Sequence, residues 1–203
     1  AIGNPFPSFL AVNNAADVAN LLVDNVDALA DSYAAIYVWS VVEDDYVPVG
    51  LNDPAALQLA PGQAFLVRAK TDGQTFIFKK TLQKHNSGSA TFYRPSTRPS
   101  TATPTISVHL TNGTSSKSAN LEFLDSSTTG LDVGYDAGAY QDGTPSFSIN
   151  THLVSDSQGI DFTRQSLPTS SLDSEVAIPL SINAGIDEEV TFSVDTNHVP
   201  DGV

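Results

Sequence analysis

The chain has 203 residues, 40% of them apolar and 16% charged, with 9 Lys and Arg against 23 Asp and Glu for a formal charge of −14. Such a length and apolar content suit one large or two small globular domains rather than a disordered chain. The absence of Cys excludes disulfides, thiolate metal sites and cysteine nucleophiles, and the negative field disfavours nucleic acid and anionic lipid as partners.

The charge is unevenly spread. Residues 1–100 carry 7 basic and 9 acidic side chains, whereas residues 101–203 carry 2 and 14. The chain opens on Ile2-Gly3-Asn4-Pro5-Phe6-Pro7-Ser8 and closes on Val199-Pro200-Asp201-Gly202-Val203. Both ends read as turns cut from the middle of structural elements, so an internal piece of a longer polypeptide is expected. From Asn14, the apolar positions Val18, Leu21, Leu22, Val26 and Leu29 recur at helical spacing. Asn13 or Asn14 offers a cap and Asp17 stands in the first turn, which predicts a short amphipathic helix packed on a sheet.

Short segments rich in aromatic and β-branched residues follow at 34–39, 46–49, 63–69, 75–80 and 90–93, and predict strands. The first of these, the longest apolar stretch, is far too short to span a bilayer, and no membrane insertion is expected. Asp72-Gly73, between Phe65 and Phe76, is the strongest hairpin signal. The Pro-, Ser- and Thr-rich stretch 95–104 then predicts an extended linker between a module over 1–94 and an acidic module over 105–203.

In the second module apolar and polar residues alternate. Ile106, Val108 and Leu110 share one face, and Leu121/Phe123, Phe147/Ile149, Val176/Ile178/Leu180/Ile182 and Val190/Phe192/Val194 repeat the period of two. Asn112-Gly113 reads as a turn, and Pro179 marks an edge strand or a bulge. The expected fold is mainly β: two antiparallel β-sandwich modules, jelly-roll or Ig-like, the first with one short amphipathic helix.

Several motifs, in order and spacing, resemble a pair of C-terminal modules of large secreted or cell-surface flavobacterial (Bacteroidota) proteins. In the first module they are Ile2-Gly3-Asn4-Pro5-Phe6-Pro7-Ser8, Tyr37-Val38-Trp39, Pro61-Gly62-Gln63-Ala64-Phe65-Leu66-Val67 and Phe92-Tyr93-Arg94. In the second they are Thr129-Gly130-Leu131-Asp132-Val133-Gly134-Tyr135-Asp136-Ala137 and Ile178-Pro179-Leu180. Ala64 departs from the pattern, standing where that family commonly has glycine. In those proteins the pair precedes a sorting domain read by the type IX secretion system, a domain this sequence does not contain. The resemblance therefore implies an extracellular or cell-surface location, with other domains of the same polypeptide or neighbouring subunits as partners.

Three groups of residues invite chemistry. Asp132, Asp136 and Asp142 lie among Gly134, Gly138 and Gly143, where carboxylate oxygens on a Gly-rich loop suit Ca²⁺; the same residues also suit an ordinary surface turn. Tyr37, Trp39 and Tyr46 gather aromatic rings at one hairpin, either as a stacking platform for a glycan or as core. His85, His109, His152 and His198 are widely spaced and read as surface residues. No nucleophile elbow, Walker loop or dinucleotide fingerprint occurs. The expectation is a non-catalytic structural or adhesive stalk or assembly module, the alternative a carbohydrate-binding accessory module of a polysaccharide-degrading enzyme.

Overall fold

The computed structural model describes residues 1–41, 44–85, 103–140 and 145–200. The strand expected at 90–93, the linker over 95–102 and Asp142 lie outside them. The chain divides into two compact units, Ala1–Thr101 with Val133–Tyr135, and Ala102–Asp132 with Asp136–Val203. The protein is mainly β, and each of its 3₁₀ turns spans four residues or fewer.

Among the described residues, the first unit has seven short strands: β1 (Ile2–Gly3), β2 (Phe9–Ala11), β3 (Ala35–Ser40), β4 (Asp45–Gly50), β5 (Gln58–Leu59), β6 (Ala64–Phe65) and β7 (Gln83–Lys84). β1 pairs with β6, β2 lies between β5 and β7, and β3 and β4 form an antiparallel hairpin. One apolar core runs beneath them, with Leu10, Leu22, Leu29, Ile36, Leu59 and Phe65 almost wholly enclosed.

The amphipathic helix expected from Asn14 does not form. That stretch is a run of turns ending in 3₁₀ segments at Val26–Ala28 and Asp31–Tyr33. Leu21 and Leu22 are buried, but their amides donate to Ala11 O (2.9 Å) and Val12 O (3.0 Å), and Val18 on the same supposed face is 84% exposed. The reason is the asparagines, whose short amides compete with helical backbone bonding. Buried Asn13 accepts from Ala16 N and Leu57 N, both at 3.2 Å, and donates to Asp53 O and Ala55 O. Buried Asn25 donates to Leu21 O (2.7 Å) and Ile77 O (2.9 Å) and accepts from Ile77 N (2.6 Å).

The same amide explains a second departure. Asp72-Gly73 does turn, with Gly73 at φ 77°, but the segment after it joins no strand ladder. Ile77 instead gives both its backbone polar groups to Asn25, while Phe76 and Phe78 pack their rings on Phe65. One side chain does the work of a cross-strand pair.

The described residues of the second unit form one seven-stranded sheet. Its strands are β8 (Thr105–Thr111), β9 (Ser116–Phe123), β10 (Ala137–Gly138), β11 (Ser148–Thr151), β12 (Phe162–Leu167), β13 (Leu180–Asn183) and β14 (Thr191–Asn197). The order is β13-β11-β12-β9-β8-β14, with β10 also on β12. Asn112-Gly113 does turn the chain between β8 and β9, Gly113 having φ 87° and Asn112 Oδ1 accepting from Ser115 N at 2.7 Å. The expected antiparallel pattern is broken once: β12 runs parallel to β9, setting Gln165 beside Leu121 and Leu167 beside Phe123. Alternation reports which face is buried, not which strands are neighbours, so it carries no sign of this pairing. Ile149 of β11 packs on Leu110 of β8 and Ala119 of β9 although the strands flanking β11 in the sheet are β12 and β13, so the sheet curls back over itself.

The contest between amides and helix predicts a clear mutational contrast. Asn25→Ala strips the partners from three backbone groups and is expected to cost about 2–4 kcal/mol. Val18→Asp, which would disrupt an amphipathic helix, is expected to change stability by no more than about 0.5 kcal/mol. Urea unfolding of the two variants checks both values, and a large loss from Val18→Asp would restore the helix.

Candidate functional site

The aromatic group separates into two environments. Tyr37 and Trp39 share a strand face, yet Tyr37 is wholly buried and Trp39 is 48% exposed. A mutual backbone bridge between Tyr37 and Leu66, 2.9 Å in each direction, draws Tyr37 beneath the segment after β6, and burial pushes its phenol pKa up. Tyr37 is therefore core and is removed from the candidate platform. Trp39 stands opposite Tyr46 in the β3–β4 register, their ring centroids 5.2 Å apart and their planes at 74°. This edge-to-face pair braces the indole while leaving much of it in solvent. Tyr33 has another partner, the Arg68 guanidinium lying 4.2 Å above its ring.

The acidic loop is a turn clamp. Asp136 has no solvent exposure and accepts from Asp132 N (2.7 Å) and Ser166 N (2.6 Å), one bond to each carboxylate oxygen. Asp132 in turn accepts from Thr128 N (2.6 Å) and Thr128 Oγ1 (3.2 Å) through its own two oxygens. The two aspartates do come together, as the spacing suggested, but all four oxygens already accept hydrogens from the fold. A hard cation needs six to eight oxygen ligands, and no group of three or more His, Asp or Glu positioned for a metal occurs among the described residues. The geometry favours the turn reading for Asp132 and Asp136.

The motifs behind the family resemblance are tied down through backbone bonds, and in the first unit two of them meet. Asn4 N donates to Gln63 O (3.0 Å), Gly62 N donates to Asn4 O (3.3 Å), and Gly3 pairs with Ala64. Asn4 Nδ2 reaches on to Ser8 O and Ala60 O. In the second unit, Pro179 O accepts from His152 N at 2.9 Å and Thr129 O accepts from Ser155 N at 2.8 Å. In each case the motif residues are spent on backbone groups.

The sequence reading foresaw none of the contacts between ionisable side chains, and two in the second unit are largely enclosed. His152 Nε2 lies 2.9 Å from Asp161 Oδ1, with both side chains about three-quarters enclosed. Arg164 Nε lies 4.0 Å from Glu122 Oε1, and both are nearly buried. The available signal was that Arg164 is one of only two cations after residue 100. Its partner follows from the parallel β9–β12 pairing, which strand patterns do not encode.

Burial raises the pKa of Asp136 from the ordinary 3.8 to about 7, against the two backbone N–H donors that hold it down. The folded state then binds a proton that the unfolded state releases between those values, so stability falls as pH rises from about 4 to about 7. The slope is at most about 1.4 kcal/mol per pH unit. Urea unfolding at pH 5 and pH 8 is expected to show this loss in the wild type and a flatter profile in Asp136→Asn, which starts lower because its amide nitrogen faces a backbone donor. Parallel profiles for the two proteins would remove Asp136 as the cause. The chain matches no family model, no curated protein and no solved structure.

Proposed function

We propose that this chain is a non-catalytic pair of β-sandwich modules from a secreted or surface-anchored protein, acting as a stalk or assembly unit that presents neighbouring domains. The observation that carries the reading is where the conspicuous polar residues go. Asn4, Asn13, Asn25 and Asp136 aim their side chains at backbone groups of their own unit. Groups used in this way set shape rather than perform chemistry. The curl that brings Ile149 onto Leu110 and Ala119 supports a sandwich for the second unit. The resemblance to secreted flavobacterial modules supports export, and the net acidity suits solubility outside the cell.

The reading is tested on the parent protein in its own cells. Protease added to intact cells is expected to cleave the segment. Deleting it is expected to lower surface display or adhesion while sparing the activity of the domains it presents. Full protection of the segment in intact cells that yields only on lysis would overturn the extracellular assignment.

One observation favours a second reading. The half-exposed indole of Trp39, braced by Tyr46, is a stacking surface of the kind that sugar rings occupy. A carbohydrate-binding accessory module would use Trp39 and Tyr46, without Tyr37. Glycan-array binding that Trp39→Ala lowers about tenfold or more, a loss of roughly 1.4 kcal/mol, is the expected result under this reading, and no retained glycan ends it.

A further inference from the structure

β14 is the outermost strand at one end of the second unit's sheet. Thr191–Asn197 bonds β8 in an unbroken antiparallel register, all seven residues are exposed, and no strand among the described residues takes the other edge. Edge strands are ordinarily blunted by Lys, Pro, a bulge or short length, because unpaired N–H and C=O groups template further pairing. This strand has neither Lys nor Pro and no shift of register.

Its side chains are as incomplete as its ladder. Phe192 and Val194 pair with Leu110 and Val108, on the face of β8 that packs into the core, yet they remain 49% and 57% exposed. A strand added outside β14 would complete the hydrogen bonding and extend that apolar face over both residues. On the opposite face β14 presents Asp195, whose exposed carboxylate lies 3.2 Å from His109 Nε2 of β8, and Asp187, Glu188 and Glu189 precede the strand.

Charge selects the occupant. Residues 101–203 carry 14 acidic and 2 basic side chains, so a second copy would bring the same sign to the same edge. Like charges facing across strands destabilise pairing. We infer that β14 is the docking edge for an extended cationic strand of another polypeptide, in which apolar residues alternate with Lys or Arg. Its apolar residues cover Phe192 and Val194, and its cations lie on the side of Asp195.

The test uses the 203-residue chain and three blocked peptides of about seven residues, the length of a typical strand. One alternates Val with Lys, one alternates Val with Glu, and one groups its Val and Lys in separate blocks. The alternating Lys peptide is expected to bind at least roughly tenfold more tightly than the other two, with slowed amide exchange confined to β14. Phe192→Thr with Val194→Thr should weaken it about tenfold, while Leu180→Thr on β13 at the far end of the sheet leaves it unchanged. Asp195→Asn is read in parallel, since it tests the charge without touching the apolar face; it should narrow the gap between the Lys and Glu peptides. Equal binding of the two Lys peptides would reduce the interaction to bulk charge and overturn the proposal. Binding at β13, absence of binding, or self-association of the free chain through β14 would overturn it too.

Discussion

Every buried N–H and C=O in this protein needs a partner, and in the first unit strands supply too few of them. Of its seven strands among the described residues, four are two residues long, and the runs between them carry much of the core. The backbone there is satisfied by side-chain amides held out of water. Asn4, Asn13 and Asn25 each bond backbone groups distant in sequence, from Ala60 to Asp53 to Ile77. Leaving such groups unpaired costs on the order of 1–3 kcal/mol each, so these amides hold loops in place where a ladder would otherwise be required.

Asp136 carries the same logic into the second unit, at a different cost. A carboxylate satisfies two backbone donors as well as an amide does, but full burial disfavours its charge. The fold thus contains an acid whose protonation is tied to its packing. Asp132 and Thr128 extend the clamp outward, so that one short run is stitched through successive side chain to backbone bonds. These bonds account for the placement of Asp132 and Asp136.

The second unit was the more legible of the two. Period-two alternation located the cores of β8, β9, β11 and β14, and Asn112-Gly113 placed a turn, because both signals are local. In the first unit the leucines and valines of 18–29 fit a helical period well, and three of the apolar positions were indeed buried. The period was real, but turns delivered Leu21, Leu22 and Leu29 to the core instead of a helix. Among the candidate site residues, Trp39 is half exposed beside a partly buried Tyr46, whereas Tyr37 was assigned to their side by strand alternation alone. The bridge to Leu66 that buries it joins positions 29 residues apart in the sequence.

Composition and pattern alone determined the class of the protein: β-rich, acidic chiefly in its second half, without disulfides, and punctuated by turns at Asn112-Gly113 and Asp72-Gly73. Those properties depend on residue identity and on spacing of a few residues. Tertiary structure decided that Asn25 serves Ile77, that β12 lies parallel to β9, that Asp136 is enclosed and that no strand among the described residues pairs with the outer edge of β14. Each depends on which distant segment arrives beside it. An amide in a short sequence window bonds its neighbours or a remote strand equally well, and only the closed chain settles the contest.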